Sequence, residues 1–245
     1  MKNGVETGEL GVFVKAPVPG RVKTRLAATI GSANAVRVYQ AMAADVLEEM
    51  HRVPGVRLRV FYSPSSGFAA CLALLEEALG MSGPVEGLLE PQVDDDDLGC
   101  RMRVALEAML ESSSRAVLVG TDLPTLTSGR ILAAYEGLEE RDVVIGRATD
   151  GGYYLVGVRG SFPRLFEDVP WSSSAVLSTS LQRCREAGLT FALLPEERDV
   201  DSADDLSALA SSLRERESGG LAPRTRVICS QLFPRANRDH ESHRP

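Results

Sequence analysis

The spacing of apolar positions changes repeatedly along the chain, and the changes mark out alternating strands and helices. Gly11-Val12-Phe13-Val14 is a short apolar run of buried-strand type. From Ser32 to Met50, Ala35, Val38, Met42, Val46 and Met50 recur at three- and four-residue spacing, which predicts a helix with one apolar face. Val56 to Tyr62 (VRLRVFY) alternates and predicts a second strand. Phe68 to Leu79 predicts a helix ended by Gly80, and Val85 to Leu89 a weak third strand. Leu98 to Leu110 is helical with Leu98, Met102, Ala105, Leu106 and Met109 inward. Ala116 to Gly120 reads as a buried strand, Ser128 to Leu138 as a helix and Asp142 to Gly146 as a strand. Tyr153 to Val158 pairs back across a tight Asp150-Gly151-Gly152 turn, a sequence suited to a hairpin. Ser161 to Trp171 is irregular or one short helix; Ala175 to Ala187 is helical, Thr190 to Leu194 a last strand and Ala203 to Arg216 a last helix. Strands alternating with helices imply an α/β fold: a mainly parallel sheet with helices on both faces and one antiparallel hairpin. The pattern gives a single domain over residues 1–216. From Glu217 the composition turns polar and rich in Arg and Pro, the signature of a flexible tail over 217–245 in which Val227 to Phe233 docks locally.

Composition narrows the class. At 245 residues, 44% hydrophobic and 25% charged, the chain can bury one substantial core. A net charge of −7 argues against a general nucleic-acid binder, which needs a broad basic face. The apolar runs are too short to span a bilayer, and MKNGVETGEL carries no hydrophobic signal segment, so no membrane association is expected. Four scattered cysteines without C-x-x-C pairing point away from zinc and from a disulfide framework, and fit a reducing cytoplasm. The three histidines are His51, His240 and His243, none in a setting suited to a nucleophilic triad. Carboxylates, cations and a metal are the remaining tools.

The cations concentrate after the first strand. KAPVPGRVKTRL places Lys15, Arg21, Lys23 and Arg25 on one loop, and no Asp or Glu occurs between Leu10 and Ala44. Such a loop at a strand end suits an anionic ligand such as a phosphate, gripped by Arg bidentately and by Lys as a point charge. A solvated basic loop is the plainer alternative. Neither a Walker A loop nor a G-x-G-x-x-G fingerprint is present, so side chains rather than a glycine cradle would hold the phosphates.

Three acidic features are candidates for cation binding. Asp122, in Thr121-Asp122-Leu123-Pro124, directly follows a buried strand, where open α/β sheets gather ligands; the alternative is a turn or cap residue. Asp199 and Asp201 stand two apart, so on an extended segment both carboxylates point one way and could share a cation. A cap for the helix near Ser202 is the competing role, and the two are compatible. Asp94 to Asp97 reads better as a solvated loop, although Asp97 opens a helix whose N-terminus could face an anion. Asp150, Gly151 and Gly152 are explained by their turn, which can also line a substrate site.

KAPVPGRVKTRL, QVDDDDLGCRM, VLVGTDLPTL, DVVIGRATDGGYYLVG, the Trp171-Ser172-Ser173 segment and LPEERDVDSADDL fall in one order, at family-like spacing. Over about Leu10 to Leu209 the chain resembles the GT-A-like family of radical-SAM/selenodomain-associated transferases, or arsenosugar-biosynthesis glycosyltransferases. It is similar, more distantly, to 2-phospholactate guanylyltransferase and molybdenum-cofactor guanylyltransferase. The resemblance implies a nucleotide-diphospho-sugar transferase (GT-A-like) fold. It assigns Lys15, Arg21, Lys23 and Arg25 to the triphosphate or a phosphorylated acceptor, and the turn at Asp150 to the acceptor side. By the same resemblance Asp122, with Asp199 and Asp201, holds Mg²⁺ or Mn²⁺. The expected activity is metal-dependent nucleotidyl transfer from an NTP to a small phosphorylated acceptor, with Lys23, Arg25 and Asp122 catalytic. Glycosyl transfer from an NDP-sugar and non-catalytic nucleotide binding are the alternatives.

Overall fold

The computed structural model describes residues 8–80, 86–162, 164–215 and 220–234. A seven-stranded sheet runs through its centre in the order β3-β2-β1-β4-β6-β5-β7. Its strands are β1 (Gly8–Lys15), β2 (Val56–Ser63), β3 (Leu89–Pro91), β4 (Arg115–Val119), β5 (Val143–Ala148), β6 (Tyr153–Arg159) and β7 (Phe191–Glu197). Only β6 runs against its neighbours: it pairs antiparallel with β4 and with β5, while β1 with β2, β1 with β4, β2 with β3 and β5 with β7 are parallel. The β5–β6 hairpin is the one expected around Asp150.

Strand alternation explains why these runs are apolar at nearly every position. Leu10, Val12 and Val14 of β1, Val60 of β2, Val117 and Val119 of β4 and Leu155 of β6 enter one core. Phe61, Ala116, Leu118, Val143, Ile145, Val156 and Val158, displaced by one residue, enter the other. Both faces are therefore covered, and period two places an apolar side chain on each. The first face carries α2 (Ser32–His51), α3 (Phe68–Leu79) and α5 (Ser128–Glu140); the second carries α4 (Leu98–Leu110) and α6 (Val176–Glu186). A third cluster joins α1 (Thr24–Ile30) and α2 to α7 (Ala203–Glu215) and α8 (Pro223–Leu232).

Three features differ from the sequence expectation. The third strand begins at Leu89, where pairing with Val60 starts, and Glu86–Leu88 forms a 3₁₀ turn; Val85 lies outside the described residues. The seven-residue α1 was not expected, because a helix that short shows no full apolar repeat; it is bracketed by Lys23 and Gly31, both at positive φ. Within the segment read as a tail, residues 223–232 form α8, packed on α2 and α7; Ile228, Leu232 and Phe233 make the local docking expected there, and the helix that carries them is what was not expected. Its N-terminal amides are met by a distant side chain: Asp45 of α2, 3% exposed, accepts from Arg224 N (3.1 Å) and Thr225 N (2.8 Å). A cap contributed from 180 residues away leaves no local mark in the sequence. Residues 217–219 and 235–245 of that expectation lie outside the described residues.

Candidate functional site

Strand order reverses between β1 and β4, the place where open α/β sheets leave a crevice at the carboxyl ends of their strands. A cleft of about 660 Å³ opens there. The loop after β1 contributes Lys15, Arg21, Lys23 and Arg25; the end of β4 contributes Asp122; the segment after β7 contributes Asp199 and Asp201. Because β6 is antiparallel, the β5–β6 turn returns to this same edge and brings Asp150 and Gly152 to the cleft. Residues far apart in sequence thus meet because each follows a strand end on one side of the sheet.

The four cations divide into two kinds. The side chains of Lys15, Arg21 and Arg25 are exposed and make no hydrogen bond or ion pair among the described residues. Lys23 is the reverse, with a side chain only 4% exposed. Its backbone is left-handed (φ 48, ψ 47) at the N-cap of α1, a conformation that costs a non-glycine residue about 1 kcal/mol or more. Its ammonium lies 2.6 Å from Asp122 Oδ1 and 2.8 Å from Asp201 Oδ1, and donates to Val200 O at 2.5 Å. Burial alone would drive the Lys23 pKa down, but the charges and hydrogen bonds of Asp122 and Asp201 outweigh it and leave the pKa raised. The backbone repeats the link, with Val200 N donating to Asp122 O at 2.9 Å.

Asp199 stands beside this cluster. Burial, followed by the negative charges of Asp150, Asp201 and Asp122, pushes its carboxyl up to about 6. Four carboxylates facing one corner are an all-oxygen donor set, and their chemistry fits a hard divalent cation. Among the described residues, however, no three of them converge as metal ligands. Lys23 stands between two members of the expected set. Ser202 caps α7 as the sequence suggested: Ser202 Oγ accepts from Asp205 N (3.2 Å), while the Asp205 carboxylate accepts from Ser202 N (2.9 Å) and Ser202 Oγ (2.7 Å). It also accepts from Asp201 N (3.2 Å), which ties the cap to the site.

Two of the expected site residues have other work. The carboxylate of Asp97 accepts from Gly99 N (3.0 Å) and Cys100 N (3.3 Å), capping α4, so this helix N-terminus is already answered by its own anion; Asp96 lines the cleft instead. Gly151 is absent from the cleft wall and holds the turn at φ 90, where a Cβ would strike Ser174 O. Asp150 Oδ1 accepts from Gly152 N at 2.8 Å, so its turn role and its place on the wall coexist.

Several wall residues were not among the expected site residues. Tyr39 of α2 accepts from Lys15 N (2.7 Å) and donates to Lys15 O (2.9 Å), clamping the end of β1. Gln92, buried, donates to Phe61 O (2.9 Å) and accepts from Arg101 Nη1 (3.1 Å). In the same cleft, Trp171 packs edge-on to Tyr153 (centroids 6.3 Å apart) and tilted against Phe166 (6.4 Å), making an apolar wall with Leu98 and Met102. Gly99 permits this packing, since a Cβ there would lie 2.8 Å from the Trp171 ring.

Comparison with known proteins places this geometry. The chain aligns with a structure from Desulfovibrio desulfuricans G20, provisionally described as a nucleotide-diphospho-sugar transferase, at 29% identity and a TM-score of 0.80, over 92% of this chain and 95% of that one. The fold is thus that of a nucleotide-diphospho-sugar transferase. A 4-diphosphocytidyl-2C-methyl-D-erythritol synthase from Anaerococcus prevotii DSM 20548 (10% identity, TM-score 0.54, 87% and 100% covered) shares the fold. So does a CMP-2-keto-3-deoxy-manno-octonic acid synthetase complexed with CTP (13%, 0.51, 84% and 99%). No curated protein matches the sequence significantly. The profile of DUF2064, described as "uncharacterized protein conserved in bacteria", matches residues 46–173, slightly more than half the chain, and the protein belongs to that family.

Proposed function

We propose that the protein is a nucleotide-utilising transferase that moves a nucleotidyl group from a nucleoside triphosphate to a small phosphorylated acceptor. One observation carries the reading: the side chains of Lys15, Arg21 and Arg25, unpartnered among the described residues, line one cleft at the strand ends together with Asp122, Asp150, Asp199 and Asp201. Three cations without a side-chain partner among the described residues, in a chain of net charge −7, call for a polyanion. Their number suits a triphosphate, or a diphosphate with a phosphorylated acceptor, better than a sugar nucleotide alone. The cleft volume lies within the range of small-molecule sites, ~300–1,000 Å³.

In this reaction an acceptor oxygen attacks the α-phosphorus, and the bond to the bridging oxygen breaks to release pyrophosphate. Lys15, Arg21 and Arg25 orient the phosphates and neutralise charge that grows on the leaving group. Asp122, Asp199 and Asp201 are the residues that would hold a Mg²⁺ or Mn²⁺ ion, which when bound would add charge stabilisation at the phosphate oxygens. The aromatic wall at Trp171 and Tyr153 seats an uncharged ring of the substrate. No step needs a histidine. The narrower kinship with radical-SAM/selenodomain-associated transferases and with the two guanylyltransferases belongs to the same proposal, as does a cytoplasmic location.

The description of the D. desulfuricans relative favours a second reading, glycosyl transfer from an NDP-sugar. The two differ in their products. Incubation with each NTP and candidate phosphorylated acceptors should release pyrophosphate. Release of nucleoside diphosphate from NDP-sugars, with no pyrophosphate from any NTP, would replace the first reading by the second.

A further inference from the structure

Lys23 was expected to meet phosphate, and in this structure its ammonium is already engaged. An ammonium offers three protons, and Asp122 Oδ1, Asp201 Oδ1 and Val200 O take up all three. The same contacts place a cation between two of the three residues that would hold a metal. The carboxylates are not sealed away: the Asp122 and Asp201 side chains are 49% and 42% exposed on the cleft side, whereas Lys23 reaches them from within. The Lys23 backbone is held in the left-handed region, on a loop that joins β1 to α1. A flexible four-carbon stem anchored there can change partners with little movement of the main chain.

We infer that, without nucleotide, Lys23 occupies the cation position between Asp122 and Asp201 and competes with a divalent ion for it. Incoming phosphates supply the alternative acceptors that draw the ammonium away. The exchange keeps every buried charge paired: the ion takes over the two carboxylates while Lys23 follows the phosphate oxygens. Ion alone or phosphate alone leaves one partner uncompensated, so the two ligands bind with positive and reciprocal coupling. The inference rests on the nucleotide-transferase reading above, and it makes Lys23 a positioning residue that links metal occupancy to nucleotide.

The test measures Mn²⁺ binding without nucleotide, from the loss of the free-ion electron paramagnetic resonance signal. It compares wild type, Lys23→Met and the double variant Lys23→Met with Asp122→Asn, with melting curves to show that each is folded. Lys23→Gln, which keeps a polar end group, replaces Lys23→Met if the latter does not fold. Wild type should bind weakly, Lys23→Met about tenfold more tightly or better, as expected when a competing charge leaves two carboxylates, and the double variant should lose that gain. Equal affinity in wild type and Lys23→Met overturns the competition. A parallel thermal-shift series with ATP, CTP, GTP and UTP separates the two levels of the argument. If a triphosphate stabilises wild type only with Mn²⁺, yet Lys23→Met gains nothing for Mn²⁺ alone, the competition fails and the transferase reading stands. If no protein takes Mn²⁺ with or without triphosphate, both fall, and Lys23 is a permanent internal counter-ion.

Discussion

At Lys23 a left-handed backbone, a buried ammonium and two carboxylates from separate loops meet in one residue. The sequence showed Lys15, Arg21, Lys23 and Arg25 as one basic loop and gave no reason to separate them. Only tertiary structure does so, since Asp201 lies 178 residues away from Lys23. The free cations are where nucleotide affinity should reside. Arg25→Ala should weaken triphosphate binding by about 1.5 kcal/mol, roughly tenfold in Kd, with the loss shrinking as salt rises; isothermal titration at two ionic strengths checks this. Asp122→Ala should abolish turnover while far-ultraviolet circular dichroism stays native. Lys23 then keeps Asp201 and Val200 O, and the buried charge with one partner fewer lowers stability by about 1–3 kcal/mol. Undiminished turnover in that variant would remove Asp122 from the site.

Among the elements, those with a full apolar repeat or a long apolar run were legible to within a few residues. Phe68–Leu79 and Leu98–Leu110 match the expected bounds of α3 and α4. The elements set by contacts from elsewhere were not: α1 is too short to show a period, β3 owes its start to register with β2, and α8 takes its cap from Asp45. The cap of α7 is local and was read correctly from Ser202. Ser202→Ala should cost about 1 kcal/mol, seen as a lower melting temperature. Asp205, on the other side of that cap, gives a pH signature. Burial alone would raise its pKa, but the hydrogen bonds from Ser202, with Arg198 and the Asp201 amide, outweigh burial and hold it down at about 2. A depressed carboxyl contributes stability that is complete above the unfolded value near 4 and is lost as pH falls through about 2. Asp205→Asn should flatten the stability–pH curve between those limits; an unchanged slope in acid denaturation would contradict the assignment. At Gly99, alanine would meet the Trp171 ring and Phe166 O, and should cost about 1–3 kcal/mol while disturbing the aromatic wall.

For the molecule as a whole, the sheet was legible because its alternation and turn chemistry are local, and so was the edge of the sheet at which the candidate residues meet. The cleft was legible only in part. Its loop cations and strand-end carboxylates announce themselves by type, whereas Tyr39 looks like an ordinary helix residue, and Gln92, Arg101 and Trp171, although inside the quoted motifs, show no role of their own until the chain is folded. The four free cysteines, three of them buried, and the absence of any helix long and apolar enough to cross a membrane hold for the described residues. Under the proposed function the cleft recognises an activated nucleotide through its cations, with a divalent ion as co-ligand. A thermal-shift panel of NTPs and NDP-sugars, each with and without Mg²⁺, tests it most directly. At a hundredfold excess over Kd a bound ligand stabilises the folded state by about 2.7 kcal/mol, well within detection. The expected result is a rise in melting temperature with at least one triphosphate, larger with Mg²⁺ than without. A flat response to every nucleotide, with and without the ion, would contradict the account.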